Sequence, residues 1–192
     1  MPFGLDPKYI FPDGGATNYV ARLNGTGQQW NLTAPIQTSE GDYFTFDISA
    51  SPDAGSFGDF KRIIGSDSNY TMTTGINAGA EAGVFIVSLS QFVLGGVNRT
   101  SGGSVPHGAG MQSAIFTPQE PTSIQAIGGL ATLAGRSCAA AFKNFRHYNE
   151  GGALLHEIPL NRRGQGATQE ATVGAIGAVM AGYDAGVWEE DT

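Results

Sequence analysis

The sequence predicts an all-β protein, a two-sheet antiparallel β-sandwich with little helix. Three observations carry this reading. The first is period-2 alternation. Over Asp42–Ile48, Phe44, Phe46 and Ile48 fall on one face and Tyr43, Thr45 and Asp47 on the other, the pattern of a half-buried strand. The second is glycine: there are 29 in 192 residues, scattered beside Asn, Asp and Ser, which marks many tight turns and disfavours long helices. The third is the recurrence of short apolar runs between those turns, as sandwiches require.

The elements follow in order. Tyr19–Leu23 and Gln28–Leu32 flank Asn24-Gly25-Thr26-Gly27 and read as a hairpin. Phe60–Ile64 and Tyr70–Thr74 are short strands. Val84–Leu89 is apolar on both faces and suits one central strand. The stretch Gly95–Gly110 reads as a surface loop. Ile115–Thr117 and Ser123–Ile127 are weaker strands, separated by Pro118 and Pro121. Phe142–Tyr148 and Leu154–Leu160 form a pair around Asn149-Glu150-Gly151-Gly152, with Pro159 at a strand end because it donates no ladder hydrogen bond. Ala167–Met180 is rich in Ala, but Gly174 and Gly177 interrupt it and no amphipathic stripe survives. A loop and a last strand near Ala178–Tyr183 are expected there. Phe44, Phe46, Phe85, Val87, Phe145 and Trp188 are the expected core. The chain divides into an N-terminal arm, residues 1–18, and one domain, residues 19–192. In the arm, Phe3 and Leu5 are candidate apolar anchors for a neighbouring subunit.

Composition narrows the function. Hydrophobic residues make up 41% and charged residues 14%. The first supports a real core. The second fits a subunit whose faces are covered by neighbours, because buried interface is depleted of charge. The net charge of -7 and thinly spread Lys and Arg argue against a phosphate-backbone partner. The opening MPFGLDPKYIF lacks a basic stretch followed by a long apolar one, so no signal peptide is expected. No apolar run reaches membrane-spanning length. The four Asn-X-Thr triplets at Asn24, Asn31, Asn69 and Asn98 are read as turn and strand residues.

Candidate chemistry is sparse. The single cysteine, Cys138, reads as a small buried hydrophobe. Gly135-Arg136-Ser137-Cys138-Ala139 approaches a nucleophile elbow but lacks its last Gly, and reads as a turn entering a strand. His107, His147 and His156 are far apart in sequence, and His156-Glu157 alone reads as an exposed strand pair. Glu40 and Asp42 are the nearest approach to a paired-carboxylate glycosidase site, with Glu40 better placed in a turn beside Gly41. Asp53, Asp59, Asp67 and Asn69 lie in loops where calcium could find oxygen ligands, although turn chemistry explains them equally. Trp30, Trp188 and the tyrosines could stack on sugar rings or fill the core. No catalytic, cofactor-binding or metal-binding residue is assigned, and no enzyme activity is expected.

The C-terminal third carries a resemblance. Phe142-Lys143-Asn144-Phe145-Arg146-His147-Tyr148-Asn149, followed by Gly152-Ala153-Leu154-Leu155-His156-Glu157-Ile158-Pro159-Leu160-Asn161, resembles a late hairpin of phage-encoded concanavalin A-like (laminin-G-like) domains. Val173-Gly174 through Val187-Trp188 resembles the family's closing segment, and Tyr19–Gly25 and Asp42–Ile48 its opening strands. Asn144 stands where the family pattern has Asp, and Arg162-Arg163 where it has an acidic residue. The resemblance implies a jelly-roll sandwich with framework residues and no inherited catalytic residue. It implies a structural component of a bacteriophage virion, made in the host cytoplasm: a capsid decoration protein, or a tail or baseplate accessory. The expected partners are other virion proteins, in a homo-oligomer or multi-copy arrangement, with no nucleic acid and no membrane. Carbohydrate binding to host glycans is the alternative, and glycan hydrolysis a distant third.

Overall fold

The computed structural model describes residues 18–50, 61–66, 72–76, 81–86, 89–98, 103–106, 110–131 and 137–191. The expected arm anchors Phe3 and Leu5 lie outside the described residues, as do Asp53, Asp59, Asp67, Asn69, Val87 and His107. So does the Phe85 side chain.

The described chain is an antiparallel β-sandwich, as the alternation predicts. The larger sheet has eight strands. Its main path runs β17 (Trp188–Glu190), β1 (Tyr19–Arg22), β13 (Ala140–Tyr148), β3 (Tyr43–Ala50), β11 (Gln112–Pro118), β8 (Leu89–Leu94) and β9 (Val97–Asn98), and β14 (Leu154–Ile158) also pairs with β13. The second sheet has five strands, in the order β15 (Thr168–Gln169), β16 (Ala178–Ala181), β2 (Gln29–Gln37), β12 (Ser123–Ile127) and β5 (Ile64–Ser66). The middle of the chain adds a four-stranded sheet, β10 (Gly103–Pro106), β7 (Glu81–Ile86), β6 (Met72–Ile76) and β4 (Lys61–Arg62). The only helical elements among the described residues are short 3-10 turns at Arg163–Gln165 and Ala185–Val187, and no described helix is long and apolar enough to cross a membrane.

The alternation of β3 does what it promises. Phe44, Phe46 and Ile48 are buried while Tyr43, Thr45 and Asp47 lie on the outer face. Phe44 stacks on Phe116 at 4.7 Å and packs on Phe145 at 5.5 Å. Trp30, Ile36, Ile124, Ile127 and Met180 meet this cluster from the five-stranded sheet. Full burial of each such side chain stabilises by about 1.5–3 kcal/mol.

β13 breaks strict alternation and still points its large residues inward. Lys143 pairs with Asp47 and Arg146 with Thr45 on β3, so Asn144 and Phe145 together face the one intervening residue, Phe46. This is a β-bulge. Asn144 takes the left-handed conformation it requires, with φ 56, which Asn tolerates better than most residues. Its backbone N–H donates to the Pro159 carbonyl at 2.8 Å, and its Nδ2 donates to Asp47 Oδ2 at 2.7 Å. The bulge shifts the register so that Phe142, Phe145 and His147 are all buried. Pro159 follows β14 directly, as expected.

Five expectations are corrected. β1 and β2 are not a hairpin: β1 pairs with β13 and β17, and β2 with β12 and β16. The Asn24–Gly27 turn, held by the Thr26 N–H on Asn24 Oδ1, arches from one sheet to the other, so Leu23 and Trp30 enter the same core from opposite layers. Val84–Leu89 is divided between β7 and β8, which belong to different sheets. Gly95–Gly110 contains β9 and β10 as well as loop. The strand at Ala178 is not the last, because β17 follows and pairs with β1. This pairing places Glu189 2.6 Å from Arg22 and Asp191 against Lys143, while Glu190 is exposed. Finally, Trp188 is half-buried against the core rather than within it.

Candidate functional site

Several of the described candidate residues are framework. Glu40 is exposed in the turn before β3, while Asp42 is only 4% exposed. Asp42 Oδ2 accepts the Ser39 N–H at 2.8 Å and lies 3.0 Å from His147 Nε2, so the two carboxylates do not share a strand face. Ser137 is fully buried and its Oγ donates to Gln29 Oε1 at 3.3 Å, and Cys138 beside it is buried as well. Trp30 is 0% exposed and offers no surface for a sugar. Trp188 packs at 6.4 Å from Trp30 and donates its indole N–H to Tyr183. Among the described residues, no three His, Cys, Asp or Glu side chains cluster as a metal site would require.

Two features emerge that sequence spacing does not show. The first lies on the outer face of the eight-stranded sheet. Thr45, Asp47, Ser113, Ile115, Asn144, Arg146 and Tyr148 line a shallow groove of about 340 Å³. These residues come from β3, β11 and β13, whose outward positions the pleat places side by side. Asp47 organises the floor by accepting from Ser113 Oγ at 2.7 Å and from Asn144. Arg146 Nε donates to Glu157 Oε1 at 2.5 Å, and this contact, opposed by burial, holds the guanidinium's pKa above its ordinary value. Thr172 Oγ and Arg146 hold the Glu157 carboxyl below the usual carboxylate range. At the end of the groove Tyr43 and Tyr148, cross-strand partners, stack at 5.0 Å with their planes 8° apart.

The second feature is a histidine pair, with His147 buried and His156 half-buried. His147 and His156 are directly paired across β13 and β14. Their rings are 5.6 Å apart and within 3° of parallel. Phe44 stacks on His147 at 4.5 Å. His147 is 1% exposed, and the Nδ1 atoms of both histidines are buried with no hydrogen-bond partner among the described residues. Burial lowers both pKa values from the ordinary histidine value, with Asp42 opposing the shift at His147.

Gly174 lies against His156. A Cβ there would press on His156 Nδ1 and come within 2.8 Å of the Leu155 carbonyl, and its φ is 77. Gly174→Ala is therefore expected to destabilise the fold by about 1–3 kcal/mol, read by urea unfolding. An unchanged midpoint would show that the segment yields freely.

The fold and these sites define an all-β antiparallel sandwich in which several ion pairs join strand to strand. Comparison with protein-family models, curated proteins and solved structures returned no match.

Proposed function

We propose that this chain is a non-enzymatic structural component of a bacteriophage particle, a capsid decoration protein or a tail or baseplate accessory of the concanavalin A-like kind. The observation that carries the reading is the use made of its ion pairs. Arg22–Glu189, Lys143–Asp191 and Arg146–Glu157 each bind one strand or tail to another, and the Asp42–His147 hydrogen bond ties the turn before β3 to β13 in the same way. The charged groups so committed are scaffolding for a stable surface, and the segments that carry the family resemblance, β13, β14 and β17, are the ones they pin. The outer face of the eight-stranded sheet is the surface such a scaffold would present to neighbouring virion proteins, in many copies.

The test is binding of purified protein to particles that lack it, followed by sedimentation. Saturable, multi-copy binding is expected. If no binding occurs and the protein is instead a monomer that recognises a sugar, the glycan-binding reading replaces this one.

That second reading is favoured by the Tyr43–Tyr148 stack beside a polar groove, since convergent polar groups near an aromatic surface are what a small polyhydroxyl ligand needs. On this reading Tyr148→Ala weakens glycan binding at least about tenfold, a loss of ~1.4 kcal/mol, without changing the unfolding midpoint by more than a few degrees. A glycan titration followed by NMR distinguishes the two cases.

A further inference from the structure

We propose that the stacked His147–His156 pair is an acid-sensitive latch, which seats β14 and the segment at residues 172–174 on β13 at neutral pH and releases them on acidification. This inference is independent of the particle role and concerns the fold itself.

The geometry carries it. β14 pairs with β13 on one side only. Its other side is covered by the 172–174 segment, through the Glu157 N–H on the Val173 carbonyl at 3.0 Å and the Thr172 N–H on the Glu157 carbonyl at 2.9 Å. The histidine rings stack side by side across the β13–β14 pair. Phe44 of β3 covers His147 and Gly174 covers His156. β14 leads directly into Pro159 and Leu160, and Leu160 is held in the left-handed conformation at φ 57 while fully buried. A non-glycine residue keeps that backbone state only while its surroundings enforce it. Release of β14 also relaxes this strain.

The charges that face the pair are few. Asp42, from the turn before β3, acts on His147 and favours its cation, and His156, from β14, acts against it. Burial alone acts on His156. Arg146 and Glu157 are engaged with each other. Asp42 can compensate one imidazolium at Nε2 of His147. It cannot serve both rings, and two parallel cations at 5.6 Å repel each other. A second proton also creates an N–H at a buried Nδ1 that has no acceptor among the described residues.

The direction with pH follows. In the closed state both histidines resist protonation, whereas in the open state each returns to an ordinary value near ~6.5. The open state then binds more protons below that value, so the closed state is fully favoured above it and loses ground as pH falls. Each histidine shifts the balance by up to about tenfold per pH unit in that window. The range from pH 7 to 5 lies above the ordinary carboxylate range, so it isolates the histidines.

Hydrogen exchange of the purified full chain at pH 7.0 and 5.0, corrected for intrinsic rates, tests the latch. Protection at His156, Glu157 and Thr172 is expected to fall at least about tenfold more than at β11, which supplies the internal reference. His156→Phe keeps an aromatic ring in the stack and cannot titrate, so its β14 should stay protected at pH 5.0. NMR titration of the wild-type imidazoles provides a measurement that needs no variant: both should titrate together with the loss of β14 protection. Rings that titrate while β14 remains protected would overturn the proposal, and so would equal acid opening in His156→Phe.

Discussion

Phe44→Ala is expected to lower the unfolding free energy by about 3–5 kcal/mol, the usual loss when a large aromatic leaves a packed interior. Phe44 is 0% exposed and touches three aromatic partners on two strands: Phe116 on β11, and Phe145 and His147 on β13. Each loses a stacked or tilted ring, so the site cannot close up by moving one neighbour. The cavity would also remove the cover from one face of His147. Thr45→Ala, one position along and on the opposite face, should cost less than about 0.5 kcal/mol, as surface substitutions usually do. Paired urea curves measure both, with an unchanged slope required for the comparison. A Phe44→Ala loss below 1 kcal/mol would mean that the two sheets do not meet where this geometry places them.

Gly65→Ala should destabilise by about 3 kcal/mol, the upper end of the overpacking range. Gly65 lies in β5 opposite Ala126 of β12. A Cβ at this position would run into the Gly129 carbonyl oxygen and approach Leu130 Cα at 3.1 Å. Both obstacles are backbone, so no rotamer change relieves the clash. The edge of the five-stranded sheet would have to separate from the 128–130 turn, whose Gly128 N–H donates to the Ile63 carbonyl at 2.7 Å. Gly164→Ala is the matched control, since a Cβ there meets nothing within 4 Å. Thermal unfolding of the two variants should differ by several degrees or more. Equal melting temperatures would show that β5 is not held against the turn as described.

Much of the fold was legible because the information is local. Alternation along Asp42–Ile48 assigns inner and outer faces whatever the partner strand is. Phe142–Tyr148 and Leu154–Leu160 were paired from the turn residues between them. The position of Pro159 follows from a missing donor. Glycine load and short apolar runs exclude a helical protein.

Other features depended on which strands meet. The turn signal at Asn24–Gly27 says that the chain reverses, but it does not say whether the next strand joins the same sheet or the facing one. The apolar run at Val84–Leu89 has no internal mark of the break that sends β7 and β8 to different sheets. The ion pairs of the acidic tail are not legible locally, because Arg22 and Lys143, the partners of Glu189 and Asp191, are 167 and 48 residues away in sequence.

The functional sites show the same division. Sequence determined that His147, His156, Tyr43 and Tyr148 exist, and the alternation placed Tyr43 outward. Tertiary structure alone decided that Tyr148 would lie opposite Tyr43 and that the two histidines would stack. The first follows from the register of β13 on β3, which the bulge at Asn144 sets, and the second from the separate register of β14 on β13, which shifts again between His147 and Tyr148. One extra residue in a strand changes every side-chain partner beyond it. No local propensity encodes that shift. It is fixed by the burial of Phe142 and Phe145 in a core assembled from the whole chain.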